Sequence, residues 1–201
     1  SKCHGCPDGC WRAVYKSPSG QHEVRKCQAM FCYAPWDKKY SGDITEASFI
    51  ATSLANRYSL DTMQLSGIVK WLEQCYQAGL LNERETELPL SKIGSLEFID
   101  TLVKKISSRE GFGNILAEGV LRAAEKVGKG KKELVAPHMT KTGFSTAYNP
   151  KIFLTTALFY ATEPRPKVTD LHEVCNLLLK WVFWHTSNGE SSYLSTQVGR
   201  A

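Results

Sequence analysis

Apolar residues in this chain recur at helical spacing from about residue 45 onward, and only the first thirty or so residues carry strand-like texture. Phe49, Ile50, Leu54 and Tyr58 fall on one face of a helix over 45–57, with Asp43 and Glu46 as a capping-box-like start. Leu65, Ile68, Val69, Leu72, Cys75 and Tyr76 form the buried stripe of a second helix over 62–78, which Gly79 stops by adopting a left-handed conformation. A third helix over 95–107 begins at Ser95 and buries Phe98, Leu102 and Ile106. After the break at Arg109-Glu-Gly-Phe-Gly113, a fourth over 114–127 carries Leu116, Val120, Ala123, Ala124 and Val127, small enough in part for close helix packing. Asn149-Pro150 is a cap and first-turn pair for a helix through Ile152, Leu154, Ala157 and Leu158, ended by Pro164 and Pro166. A last helix over 171–185 presents Leu171, Val174, Leu178, Trp181 and Val182, and Ser187 to Ser192 reads as loop. Near the start, Trp11–Tyr15 and Glu23–Lys26 flank the turn-forming Ser17-Pro-Ser-Gly20, which predicts a small hairpin.

The pattern therefore predicts a mostly α fold with a small N-terminal β-hairpin. It divides into a cysteine-rich loop and hairpin over 1–42, a helical domain over 43–147 and the start of a second helical domain over 148–201. At 201 residues, 42% hydrophobic and 22% charged, the chain has the composition of a globular protein with a real core. Its apolar runs fall far short of the roughly twenty residues that span a bilayer, so no membrane is expected. The net charge of +5 is modest. Its one dense basic group, Lys126 to Lys132, has no interleaved aromatic residues and suits the carbonyl end of a helix, so nucleic acid is not an expected partner. Seven cysteines, an odd number clustered rather than spread in pairs, argue for a reducing compartment and a cytoplasmic home. With Ser1 leading straight into the cysteine motif, the chain reads as a piece of a longer protein.

That motif, Cys3-His-Gly-Cys6-Pro-Asp-Gly-Cys10, sets three soft thiolates on one short loop, and its glycines let backbone amides approach the sulfurs of a bulky cluster. The C-x2-C-x3-C spacing favours iron–sulfur over zinc, whose sites more often pair two C-x2-C knuckles at longer separation. A four-iron cluster needs a fourth ligand from elsewhere. The competing reading is a zinc-stabilised structural or interaction module using Cys3, Cys6, Cys10 and Cys27.

Three segments carry a resemblance: Cys3-x-x-Cys6-Pro-x-x-x-Cys10, Leu54-Ala-Asn56-Arg57-Tyr58-Ser59-Leu60-Asp61-Thr62, and the long run from Ser108-Arg109-Glu110-Gly111-Phe112-Gly113 through Glu118-Gly119-Val120 to Arg122-Ala123-Ala124. Together they resemble the helical domains 2 and 3 of the tungsten-containing aldehyde ferredoxin oxidoreductase family over nearly the whole chain. The resemblance implies a tungsten (or molybdenum) bis-pterin, a nearby [4Fe-4S] cluster on Cys3, Cys6 and Cys10, and a pterin-binding N-terminal domain in the same protein. It also implies ferredoxin or an iron–sulfur subunit as electron partner. The family's pterin-holding Asp-x-x-Gly-Leu-Asp element maps onto Asn56 to Asp61, making Asn56, Leu60 and Asp61 the cofactor-binding candidates. The chain departs from that element at Asn56, which lacks the aspartate's charge, and at Ser59, which lacks glycine's access to positive φ. Asp61 can equally be a plain helix cap.

Where ordinary members carry Gly-Pro-Glu-Tyr-Glu, this chain has Cys32-Tyr33-Ala34-Pro35-Trp36-Asp37. With Ala161-Thr162-Glu163-Pro164-Arg165 and Leu171-His172-Glu173, that stretch is similar to the subgroup containing the catalytic subunit of class II benzoyl-CoA reductase. The subgroup implies a cysteine as an additional tungsten ligand, with Cys32 the candidate and Cys27 the alternative, each against the plainer role of a small buried thiol. His172 with Glu173 is the candidate acid–base pair. His4 and His138 read as supporting or surface groups, and His185 as a core or interface histidine. No segment like the family's remote fourth cluster ligand occurs, since Cys175 lies in a helix stripe. The expectation is the helical, cofactor-covering portion of an oxidoreductase acting on an aldehyde, a carboxylic acid or an aromatic acyl-CoA, not competent alone.

Overall fold

The computed structural model describes residues 12–17, 19–26, 33–128, 134, 157–158, 161–162, 181–182 and 184–187. The chain falls into two compact units, 1–145 and 146–201. The first opens with the expected hairpin: β1 (Arg12–Lys16) pairs antiparallel with β2 (His22–Lys26), Arg12 opposite Lys26 and Lys16 opposite His22. The intervening turn closes on the backbone bond from Gly20 to Ser17, and the Ser19 hydroxyl donates to Glu46, tying the hairpin tip to the helical layer.

Helix α1 (Ala34–Ser41) is absent from the elements that the apolar spacing predicts, and Pro35 lies within it. The proline does not break it: it sits in the first turn, where its missing N–H has no helical partner to lose. Tyr33, 1% exposed, fixes the entry by accepting from the Gly94 amide (2.9 Å) and donating to the Ser95 carbonyl (2.9 Å). Asp37 is fully buried and accepts five hydrogen bonds, from the Thr45 amide (2.8 Å) and hydroxyl (2.7 Å), the Ser48 amide (3.0 Å) and hydroxyl (2.6 Å), and the Ser41 hydroxyl (3.3 Å). Burial pushes this carboxyl up, but the bonds from Ser48 and Thr45 outweigh it and hold it below its ordinary value.

Helix α2 (Glu46–Arg57) is capped by Thr45 and by that same Asp37, not by Asp43, whose carboxylate turns to the adjacent Ile44 amide. Helix α3 (Thr62–Gln77) is capped by Asp61 and followed by Gly79 at φ 67°, as its sequence requires. A short α4 (Glu83–Thr86) and a 3₁₀ turn (Leu90–Lys92) lead to α5 (Leu96–Ser108), with Ser95 as its cap. Helices α2, α3 and α5 share one core, in which Ala51, Ala55, Val69, Leu72, Phe98, Ile99, Leu102 and Val103 have no exposed surface. Cys75 belongs to this core as a buried thiol outside any disulfide.

The expected helix over 114–127 is two helices, α6 (Phe112–Leu116) and α7 (Val120–Val127). Gly119 separates them at φ 88°, ψ 158°, a conformation essentially reserved for glycine. Gly113 is required for a different reason, since a Cβ there would lie 2.2 Å from the Lys105 carbonyl oxygen where α6 turns back onto α5. In the second unit, residues 157–158, 161–162, 181–182 and 184–186 are helical. His185 there is exposed and stacks on Trp181 (5.5 Å between centroids, 4° between planes), so it is not a core histidine. The fold is mostly α with one small hairpin, as the pattern predicts.

Candidate functional site

Between α2 and α3 the chain reverses through a tight, left-handed turn. Helix α2 ends in a complete Schellman turn: the Leu60 amide bonds to the Ala55 carbonyl (2.8 Å) and the Ser59 amide to the Asn56 carbonyl (3.2 Å). The turn needs a left-handed residue at Ser59, and Ser59 adopts φ 55°. The serine thus holds the backbone shape that glycine supplies in the Asp-x-x-Gly-Leu-Asp element, against a cost of about 1 kcal/mol for a residue bearing a Cβ. Leu60 packs half-buried against the core. Asp61 follows at once as the cap of α3, its Oδ1 accepting from the Gln64 amide at 2.8 Å. The plain capping role is therefore real, but it uses one oxygen only. Among the described residues Oδ2 has no hydrogen-bond partner.

Leu60 and Asp61 lie on the wall of a groove of about 760 Å³. Its apolar floor is Leu65 and Ile68 of α3, Ile106 of α5, and Leu116 and Val120 at the α6–α7 break; Gln64, Glu118, Arg122 and Glu125 add polar groups. The size is that of a small-molecule or cofactor site. The opposite wall is made by the glycine-rich segment. Arg109, itself left-handed at φ 54°, reaches from the end of α5 to Asn114 (3.1 Å) and to the Glu118 carboxylate (2.7 Å). That contact, with Arg122 at 3.5 Å on the other oxygen, holds Glu118 below the usual carboxylate range. The long motif from Ser108 to Ala124 thus folds α6 back onto α5 and builds one side of the groove, which its sequence alone does not disclose.

The other candidates are distributed as follows. Asn56 is exposed on the last turn of α2, its carbonyl used in the Schellman turn. Cys3, Cys6, Cys10, Cys27, Cys32, Cys175, His4, His138, His172 and Glu173 lie outside the described residues. Among the described residues no three His, Cys, Asp or Glu side chains come together as a metal site, and no helix is long and apolar enough to cross a membrane. The groove suits the organic part of the implied cofactor: the left-handed turn is preserved at Ser59, the capping carboxylate keeps one oxygen for a donor, and the volume takes a fused bicyclic ring.

What the fold and groove define is a mainly α layer with a ligand-sized groove built at a helix–turn–helix corner. The chain belongs to the aldehyde ferredoxin oxidoreductase family, whose domains 2 and 3 it matches over residues 1–173. It is 31% identical over 176 residues to a tungsten-containing aldehyde ferredoxin oxidoreductase of Pyrococcus horikoshii and, to the same extent, to that of Pyrococcus abyssi; the Pyrococcus furiosus protein is 27% identical over 166 residues. In each case 81% of this chain is covered but only 26% of the relative, so the chain spans about a quarter of their length. The solved active-site complex BamBC of benzoyl coenzyme A reductase, in complex with 1,5-dienoyl-CoA, superposes with a TM-score of 0.58 at 22% identity, covering 81% of this chain and 24% of that one. That likeness is one of fold.

Proposed function

We propose that this chain is the helical, cofactor-covering part of a tungsten–pterin oxidoreductase, in which the α2–α3 corner is the wall that holds a pterin. The observation that carries the reading is the left-handed Ser59 leading directly into Leu60 and a half-used Asp61 on the groove. Leu60 supplies apolar contact. The second oxygen of Asp61 takes an N–H of the heterocycle, and Asn56 stabilises the turn through its carbonyl. Cys3, Cys6 and Cys10 hold three corners of a [4Fe-4S] cluster, with the fourth ligand outside this sequence. Cys32 approaches the metal as an added thiolate, with Cys27 as the alternative, and His172 with Glu173 moves the substrate's proton. When bound, the tungsten bis-pterin supplies redox chemistry at an aldehyde, a carboxylic acid or an aromatic acyl-CoA. The remaining pterin contacts come from an N-terminal domain of the same protein, and the electron partner is ferredoxin or an iron–sulfur subunit in the cytoplasm.

Analysis of the parent enzyme tests this reading. Iron, acid-labile sulfide and tungsten are expected together, with iron falling in Cys3→Ser, Cys6→Ser and Cys10→Ser. Colourless protein with stoichiometric zinc and no iron would return the cysteine loop to a structural zinc module. In Cys32→Ser, tungsten content should hold while the metal's spectroscopic signature and the activity change. If neither changes but Cys27→Ser abolishes activity, the added ligand is Cys27.

A further inference from the structure

Gln64 occupies the third position of α3, three residues after the Asp61 cap, where a Gln or Glu ordinarily completes a capping box by bonding back to the cap residue's own amide. It does not do so here. Its backbone amide donates to Asp61 Oδ1, yet among the described residues its carboxamide makes no hydrogen bond, and the half-buried residue lines the same groove as Asp61, whose Oδ2 is unused. A helix position that would accept a local bond instead leaves its carboxamide unused among the residues lining a groove of about 760 Å³.

We propose that Gln64 is a further specificity-determining residue of this groove, reading the carbonyl edge of a 2-amino-4-oxo-pyrimidine ring while Asp61 reads its amino edge; this rests on the groove being the pterin wall. The pyrimidinone edge of a pterin presents N–H donors at the ring nitrogen and exocyclic amine, followed by the carbonyl acceptor. A carboxylate offers only acceptors, so Asp61 matches the donors and leaves the carbonyl unmet. The Gln64 carboxamide, one helical turn along on the same wall, supplies the missing N–H. A ring carbonyl left unmet beside the apolar floor of the groove is unfavourable, which gives the added N–H its weight. The pair distinguishes this ring from one that carries an amine in place of the carbonyl.

The test uses the parent holoenzyme and reads pterin retained per protein after dialysis, released by acid oxidation and measured by fluorescence, alongside the thermal midpoint. Gln64→Glu is the decisive variant, because the two roles predict opposite results. A carboxylate at this position completes the capping box and suits the positive helix end, so a purely structural Gln64 gives unchanged pterin and an equal or higher midpoint. A Gln64 that donates to the ring carbonyl gives at least a five-fold loss of retained pterin while the midpoint of the pterin-free protein stays equal or higher, and Gln64→Lys, which keeps a donor, recovers most of the pterin. Asp61→Asn, which keeps the helix cap, separates the two levels of the argument. Pterin unchanged in both Asp61→Asn and Gln64→Glu overturns the pterin-wall reading itself. Pterin lost in Asp61→Asn but unchanged in Gln64→Glu overturns the role of Gln64 alone.

Discussion

Two corners of the helical layer are each organised by an aspartate at a helix N-terminus, and they differ in how much of the carboxylate is used. At the α1–α2 corner Asp37 is fully buried and both oxygens are taken by Ser41, Thr45 and Ser48. At the α2–α3 corner Asp61 is exposed on a groove, one oxygen capping α3 and the other without a partner among the described residues. Saturated valence at a buried site is what a structural carboxylate looks like, because any orphaned donor or acceptor there costs stability. Spare valence beside a cavity is what a binding carboxylate looks like. The same residue type thus meets the first turn of a helix in two ways, once from the preceding helix with both oxygens spent and once as the cap itself with one oxygen spare.

The contrast breaks most visibly at Asp37. Replacing it with alanine strands the Ser48 hydroxyl and the Thr45 and Ser48 amides, a loss of about 3 kcal/mol if two buried donors stay unmet. Amide hydrogen exchange in the parent protein should then show protection of α2's first turn reduced by about 100-fold. Protection within a few-fold of wild type would mean that water or a neighbouring group replaces the carboxylate.

Acid gives a second reading of the same corner. Because the folded carboxyl is held below its ordinary value of 3.8, its stabilisation is fully present above that value and is lost as pH falls through the lower, folded value. The thermal midpoint should therefore drop below about pH 4 more steeply in wild type than in Asp37→Asn, which has no such titration. Parallel curves would assign the acid sensitivity to other groups.

Smaller effects are expected at the second corner. Asp61→Ala removes only one capping bond and should cost about 1 kcal/mol, whereas Asp61→Asn, an equally good cap, should leave the thermal midpoint nearly unchanged. A large loss of stability in Asp61→Asn, measured on the pterin-free protein, would make this carboxylate structural after all and erase the difference between the corners. Smallest of all, Ser59→Gly relieves the left-handed strain but frees the unfolded chain, so a net change of at most about 0.5 kcal/mol toward greater stability is expected from chemical denaturation. A clear destabilisation would show that the Ser59 side chain contributes something the turn does not explain.

Much of this layer was legible in the residues. The 62–78 stripe with Asp61 before it and Gly79 after it, and the Ser95 start of α5, state their boundaries through capping chemistry and appear as such. Helix α1 was hidden because Pro35 looks like a breaker until its first-turn position is known, and because only eight residues leave little room for a periodic stripe. The break at Gly119 was hidden for the opposite reason: apolar residues on either side keep helical spacing, and nothing local says that this glycine is left-handed. The cap of α2 was misassigned to Asp43 since the true partner, Asp37, comes from the preceding helix, a non-local bond that spacing cannot reveal. For the groove, Leu60 and Asp61 were visible by resemblance, but the contribution of Gln64 and of the Arg109–Glu118 wall depends on α3, α5 and α7 meeting in space.

The Tyr33 hydroxyl, clasped between the Gly94 amide and the Ser95 carbonyl, fixes a bearing point one residue after Cys32. Gly94 has no room for a side chain, since a Cβ there would lie 2.3 Å from the Trp36 carbonyl oxygen, so neither partner of the clasp can readily drift. Tyr33 is therefore a fixed entry point to α1, and inserting or deleting a residue between Tyr33 and Trp36 would cost both bonds of the clasp.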